Sequence, residues 1–419
     1  MKEIYLEAQK EIDYAEMEAA VDKLLQQFPG VKKVLIVPPD FTRCFSMAGE
    51  LTQILYKRLH ESAEVDIMPA VGTHAELSAE ERKKMFGDIP ADVFRHHQWQ
   101  EDTVRIGEIP EEVVAKISEG LFSESIEIEV NRRFREGGYD LILSVGQVVP
   151  HEVVGMANYS KNIFVGLGGR QMINKSHMLS AICGIEQTLG VDHAPARQVF
   201  DYAQEHCLQD MPLVYLLTVT TADQAGTHLH GLFIGDSREP FDRAVALSQK
   251  RNITYLDRPA KKVVAYLDPF ELKTTWVGNK GIYRSRMAIA DGGELLLLAP
   301  GVHAFGENEE VDKAIRAYGY VGRDKILDYY NGNHFPNQYM VPAHLIQGSS
   351  DGRFSITYAV DPQKMSREEI EGVGFRYMDV AEAMRRYDPE VLQDGWQTMP
   401  DGEEIYFIRN PAIGLWRLP

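Results

Sequence analysis

The chain has 419 residues, more than one ordinary domain holds, so two domains are expected. Hydrophobic residues make up 44% and charged residues 25%, the balance of a globular protein in water. The net charge of −18 speaks against a basic nucleic-acid-binding face, but a small anionic substrate needs only a few local arginines or lysines. No apolar run approaches the roughly 18 residues of a spanning helix. The acidic start MKEIYLEAQKEIDY lacks the apolar core of an export signal, so a cytoplasmic protein with no membrane partner is expected. Cys44, Cys183 and Cys207 are odd in number and form no CxxC pair, which fits a reducing compartment and argues against a disulfide framework or zinc knuckle.

In chain order, KKVLIVPP (32–39) reads as a strand and SMAGELTQILYKRLH (46–60) as a helix, from the spacing of Leu51, Ile54, Leu55 and Leu59. AEVDIMPAVG (63–72) and DLILSVGQVV (140–149) read as further strands. NIFVGLGG (162–169) reads as a strand running into glycines, followed by a helix from about Lys175. PLVYLLTVTT (212–221) and HLHGLFIGD (228–236) come next, then a polar break at 248–262. A second series follows: KVVAYLD, GELLLLAPG, the helical EEVDKAIRAYGY and FSITYAV. Strands alternating with helices imply an α/β class, with mainly parallel sheets covered by helices. The domains are expected at 1–260 and 261–399, with a last strand near 400–419 that either domain can claim.

Polar clusters fall at the expected strand ends, where α/β sheets bind ligands. They are PPDFTR (38–43), VGTHAELS (71–78), VVPHEVVGMANYSKN (148–162), GLGGRQMINKSH (166–177) and TTWVGNKGIYRSRM (274–287). His74 follows one strand and precedes a helix cap at Ser78; His151 follows another strand through Pro150. Imidazole suits proton transfer in both directions near neutral pH, although each ring alone can equally be a hydrogen-bonded core or loop residue. The GLGG run can cradle a phosphate on backbone N–H groups, with Arg170 or Lys175 as counter-charge, or it can simply end a strand. His228 and His230 have a metal-ligand spacing, but no carboxylate-rich cluster or HExxH accompanies them.

Four motifs in order resemble the nickel-pincer nucleotide-dependent lactate racemase family. They are Asp40-x-Thr42-Arg43; Gly72-Thr73-His74; Pro150-His151 with Lys161 ten residues on; and His177 sixteen residues beyond that lysine. The resemblance implies a pyridinium mononucleotide between the two domains, attached through a thioamide at Lys161. Its nickel is held by two sulfurs, a ring carbon and His177. Neutral imidazole is a good nickel ligand. His74 and His151 are implied as the acid/base pair, with Asp40, Thr42, Gly168 and Gly169 on the cofactor side. Arg43 is implied at the substrate carboxylate. The implied reaction inverts C2 of a 2-hydroxy acid: hydride leaves and returns through a 2-oxo acid while a base on either side handles the hydroxyl proton. Separate biosynthetic enzymes are implied as the source of the cofactor.

The chain departs from the family pattern before the lysine, where Ala157-Asn158-Tyr159-Ser160 replaces Ser-Gly-Gly-x. It departs again at Tyr283-Arg284-Ser285-Arg286-Met287, in place of Tyr-Gln-x-x-Lys, and at Asn337-Gln338-Tyr339, in place of a tryptophan. Tyr283, Arg284 and Arg286 are therefore expected at the substrate. With Asn331, Asn333, His334, Asn337 and Gln338 they point toward a sugar acid instead of lactate. The alternatives are a racemase of a small hydroxy acid or hydroxy-dicarboxylate, a metal-dependent hydrolase built on His228 and His230, and a non-catalytic cofactor carrier.

Overall fold

The computed structural model describes residues 1–223, 226–336, 338–412 and 414–419. It divides into two compact units, one of residues 1–179 and 190–252, the other of 180–189 and 253–419. The division falls before the expected residue 260, and a ten-residue excursion at 180–189 joins the second unit.

The first unit contains β1 (Ile4–Glu7), β2 (Lys33–Val37), β3 (Glu64–Ile67), β4 (Thr103–Ile109), β5 (Ile126–Asn131), β6 (Leu141–Gln147), β7 (Pro150–His151), β8 (Gly155–Met156), β9 (Leu213–Asp223) and β10 (Gly226–Gly235). Its main sheet has the order β1-β10-β9-β6-β2-β3. The pairs β3–β2, β2–β6 and β6–β9 are parallel; β10 and β1 close the edge antiparallel. Val34 to Val37 of β2 and all but the last residue of β6 are buried, as strands covered on both faces require. Helices Tyr14–Leu25 and Ala48–Leu59 place Met17, Val21, Leu24, Leu51, Ile54 and Leu55 in one core with Val34 and Ile36. That is the heptad-like face the spacing predicts.

The second unit holds β11 (Ile253–Tyr255), β12 (Ala260–Tyr266), β13 (Ile289–Ala299), β14 (Ser355–Val360), β15 (Arg376–Asp379), β16 (Gly395–Thr398), β17 (Glu404–Ile408) and β18 (Leu415–Arg417). Its sheet runs β15-β14-β13-β12-β17-β16 and is parallel except at β16. The terminal strand left between the domains pairs here: Val263, Val264 and Ala265 lie opposite Tyr406, Phe407 and Ile408. Two mainly parallel α/β sheets thus form the architecture. Among the described residues no helix is long and apolar enough to cross a membrane.

One element differs from its sequence reading. Ser160–Phe164 is helical, and the next helix starts at Arg170, not near Lys175. Asn162, Ile163 and Phe164 are buried, and a short apolar run buried all round carries no periodicity that separates strand from helix. The side chain of Asn162 donates to the Val37 carbonyl (3.1 Å) and to Ser144 Oγ (2.9 Å), tying this turn to the ends of β2 and β6.

Asp66 in β3 is fully buried. It accepts from Tyr139 Oη (2.6 Å) and pairs with Arg95 (2.6 Å) and Arg133 (3.5 Å). Removing the carboxylate strands a buried tyrosine hydroxyl, while the two partly exposed arginines can turn to water. Asp66→Ala should therefore lower the unfolding free energy by about 2 kcal/mol, the scale of hydrogen bonds to a charged group. Urea denaturation followed by circular dichroism measures it; a change under about 0.5 kcal/mol would contradict this role.

Candidate active site

Parallel pairing sets the geometry. The β2–β3 ladder continues as a bridge between Pro39 and Ala70, so Asp40 comes out beside the loop Val71–His74. Gly72 has φ of 57°, and its N–H bonds the Gly166 carbonyl (2.9 Å), which seats the loop. His74 N–H bonds the Val71 carbonyl (2.9 Å), and Ser78 caps the next helix through a capping box with Glu81, as expected.

Asp40 is 6% exposed, whereas the His74 side chain is 59% exposed. The Asp40 carboxylate accepts from His74 Nδ1, from Thr42 Oγ1 (2.5 Å) and from Thr42 N–H (3.1 Å). Burial works to raise its pKa, but the bonds from His74 and Thr42 and the charge of Arg43 outweigh burial and hold the carboxyl below its usual range. With Nδ1 held by the Asp40 carboxylate, Nε2 is the His74 nitrogen left to act.

Lys161 and His177 lie in the same electrostatic field. Burial, aided by the Arg43 cation, lowers the Lys161 amine to about 8, with Asp40 and Glu152 opposing. His177 is lowered to about 4, first by burial and also by Lys161 and His74, against its bond to the Ile173 carbonyl and the charge of Glu152. His177 Nδ1 lies 2.6 Å from that carbonyl oxygen, one helical turn back. A carbonyl only accepts, so Nδ1 carries the proton and Nε2 keeps a lone pair: a neutral, oriented imidazole of the kind metals take. Among the described residues no three His, Cys, Asp or Glu side chains converge as a metal site.

His151, 8% exposed, sits in the small β7–β8 ladder. The Val153 N–H donates to its Nδ1 (3.1 Å), so the neutral ring carries its proton on Nε2. Nδ1 thus meets a carboxylate in His74 and a backbone N–H in His151.

The remaining residues named from the sequence are mostly engaged within their own unit. The glycines after Phe164 are packed, not open to a phosphate. The N–H groups of Gly168 and Gly169 bond the carbonyls of Val165 and Glu129 (both 3.3 Å). A Cβ on Gly168 would stand 1.9 Å from the Phe164 oxygen, and one on Gly169 would meet the Glu129 side chain at 2.6 Å. The helix that follows already has an anion at its start, since Gln171 N–H donates to the Glu129 carboxylate (2.8 Å). Arg286, expected at the substrate, is 2% exposed and bonds Glu186 (2.7 Å) and the carbonyls of Gln347 (3.0 Å) and Ser349 (2.9 Å) inside the second unit. Arg284 is also buried and donates to the Gly414 carbonyl (3.3 Å). Tyr283 meets His344 Nδ1 (2.9 Å). Asn337 lies outside the described residues. His228 pairs with Glu11 (3.5 Å) and His230, the residue at a β-bulge, with Thr221 (2.8 Å).

Two histidines escaped the sequence reading because no motif surrounds them. His344 is buried, stacks on Trp276 at 4.2 Å, and meets Tyr283 and Tyr320 (2.8 Å) with its two nitrogens; burial lowers it to about 3. His97 receives a bond from Asn131 Nδ2 at Nδ1 (3.0 Å) and meets the Gly168 carbonyl with Nε2 (3.2 Å), supporting the turn between Lys161 and His177.

The first unit is thus an α/β fold that carries a histidine–carboxylate pair beyond two parallel strands, and an amine of lowered basicity and an oriented histidine on two helices. Residues 7–189 match the lactate racemase N-terminal domain. The chain is 24% identical over 274 residues to a lactate racemase of Thermoanaerobacterium thermosaccharolyticum, covering 64% of this chain. The matched region spans 60% of that curated relative. A crystal structure of a Thermotoga maritima protein superposes with a TM-score of 0.84 at 25% identity, over 99% of this chain and 100% of the other. The lactate racemase apoprotein of T. thermosaccharolyticum has the same fold, with a TM-score of 0.73 at 18% identity, over 97% of this chain and 94% of the other. Residues 7–189 thus form a lactate racemase N-terminal domain, and the curated relative supports membership of the lactate racemase family.

Burial holds His97 near a pKa of about 4, against its bond to Gly168. A histidine whose folded value lies below its unfolded value of about 6.5 costs stability as pH falls between the two, because the unfolded chain binds the proton first. Wild type should therefore lose about 2 kcal/mol more than His97→Gln between pH 7 and pH 4.5. Urea midpoints at the two pH values measure this; equal losses would contradict it.

Proposed function

We propose that this chain is a racemase or epimerase acting at C2 of a 2-hydroxy acid, with a nickel-pincer nucleotide attached at Lys161 and His177 as the protein's nickel ligand. The observation that carries the reading is the Asp40–His74 pair, a buried carboxylate bound to Nδ1 of an exposed imidazole, with the Arg43 charge acting on the same carboxylate. One ring takes the hydroxyl proton of one enantiomer as an imidazole, and the other returns a proton as an imidazolium, so the two exchange roles between directions. Asp40 orients His74, and the Val153 N–H meets Nδ1 of His151.

When bound, the nucleotide supplies an electron-poor ring carbon able to accept the C2 hydrogen with its electron pair. The chain's own groups do the rest. The Arg43 guanidinium makes no ion pair among the described residues and is the cation for the substrate carboxylate. His74 Nε2 accepts the hydroxyl proton, and buried Asp40 stabilises the imidazolium that results. His151 acts for the other enantiomer as its imidazolium, which gives up the Val153 bond, returns a proton from Nε2 to the substrate oxygen and is left neutral to accept one in the reverse direction. Lys161, lowered to about 8, is roughly a tenth neutral at pH 7, enough to react as an amine when the cofactor is attached. Arg286, expected to hold the distal oxygens of a sugar acid, has its donors engaged in the second unit. The 2-hydroxy carboxylate is the part of the substrate this reading assigns, and a sugar acid is proposed with groups other than Arg286 at its distal oxygens. Enzymes that build the nucleotide are the partners this function requires.

His74→Ala and His151→Ala should each lower kcat by at least about two orders of magnitude, the scale of a positioned acid or base. Chiral analysis of lactate and C5–C6 aldonates in both directions reads the effect, and near-normal turnover by either variant would exclude the two-base assignment. A C2-deuterated substrate should give product that keeps its deuterium in H2O. Rapid loss of label would mean proton removal at carbon.

A further inference from the structure

Lys161 is reached through an improbable piece of backbone. Asn158 and Tyr159 are consecutive and both left-handed, with φ of 64° and 56°. Tyr159 adds ψ of −133°, a region that side chains avoid. Residues held there cost roughly 1–3 kcal/mol each and persist only where the surroundings over-determine them.

The surroundings here centre on Arg197, a fully buried cation on the helix Pro195–Cys207. Its guanidinium donates to the Met156 carbonyl (2.6 Å), the Asn158 carbonyl (3.0 Å) and Ser160 Oγ (2.6 Å). It thus grips the loop on both sides of the strained pair. Ser160 Oγ donates onward to Asp201 (3.1 Å), so its lone pair faces Arg197. Asp201 also pairs with Arg238. Tyr159 is held separately. Its ring stacks on Phe241 at 4.9 Å and meets Tyr215 at 4.4 Å, and its hydroxyl accepts from Gln204 Nε2 (2.5 Å). The Arg197 guanidinium lies 4.6 Å from the Phe241 ring. A buried guanidinium is costly unless its donors are satisfied, and the acceptors nearest to it belong to this loop.

We infer that Arg197 and Tyr159 form a brace that positions Lys161, holding the strained turn at 157–160 in the one conformation that presents the lysine amine to its cofactor. Arg197 is a positioning residue: its hydrogen bonds among the described residues all go to the loop. The brace matters for catalysis only if Lys161 has the role proposed above, but its mechanical part stands apart from that reading.

The test is hydrogen–deuterium exchange on the full chain without cofactor, in wild type, Arg197→Met and Arg197→Lys, together with kinetics of the loaded enzymes. Arg197→Met should speed exchange of peptides covering 157–161 at least tenfold while peptides of β6 and β9 keep their rates. Arg197→Lys, which retains one cationic donor, should recover part of the protection. In the loaded enzyme Arg197→Met should lower kcat at least tenfold with KM within threefold, since Arg43 is untouched. Unchanged exchange at 157–161 in the folded variant, or acceleration spread evenly over the first unit, would overturn the inference. If Arg197→Met does not fold, Tyr159→Phe keeps the ring and loses only the bond to Gln204. It should raise local exchange at least threefold, and no rise overturns the brace. Exchange is read without cofactor or substrate, so a protein inert toward every 2-hydroxy acid would count against the proposed function and leave the exchange result to decide the brace.

Discussion

A carboxylate buried at the end of a parallel strand must be paired or it will not stay charged, and Asp40 organises the first unit's site through that requirement. It is 6% exposed and meets its need with Thr42, two residues on, and with His74, which arrives from the neighbouring strand. The pairing of β2 with β3 makes that meeting unavoidable, because both chains leave the sheet at the same edge. What the carboxylate gains in hydrogen bonds the histidine gains in definition: its Nδ1 is held and Nε2 is left to act.

The same principle recurs at lower cost elsewhere. His177 is oriented by a main-chain carbonyl and His151 by a main-chain N–H, so the three histidines have three different anchors. A carboxylate partner raises basicity, whereas a carbonyl leaves a buried ring neutral, which suits a metal ligand better than a base. Lys161 adds the opposite adjustment. Burial and Arg43 weaken its hold on a proton while Asp40 and Glu152 limit the shift. Charges of both signs around one amine keep it reactive without making its desolvation prohibitive.

Much of this was legible in the chain. Apolar runs of alternating strand and helix type predicted two parallel α/β sheets, and strand-end clusters singled out Asp40, Thr42, Arg43, His74, His151, Lys161 and His177. The misread parts share a cause: they depend on tertiary neighbours. NIFV is a buried helical turn because Asn162 reaches two strand ends, which no local period records. Gly168 and Gly169 are small because the Phe164 carbonyl and Glu129 press on them, not because a phosphate approaches. Arg286 carries the same charge whether it faces a ligand or Glu186, and only the fold tells the two apart. His97, His344 and Arg197 were invisible for the complementary reason, since a buried polar residue looks like any other until its partners are known.

The central claim is that Lys161 and His177 together hold a nickel-bearing nucleotide. The most direct measurement is intact mass and metal content of the chain produced alongside the enzymes that make that nucleotide. The account predicts close to one nickel per chain and a covalent adduct at Lys161. The adduct should be absent from Lys161→Ala, and the nickel should be lost from His177→Ala. An unmodified, nickel-free chain that interconverts 2-hydroxy acid enantiomers would contradict it.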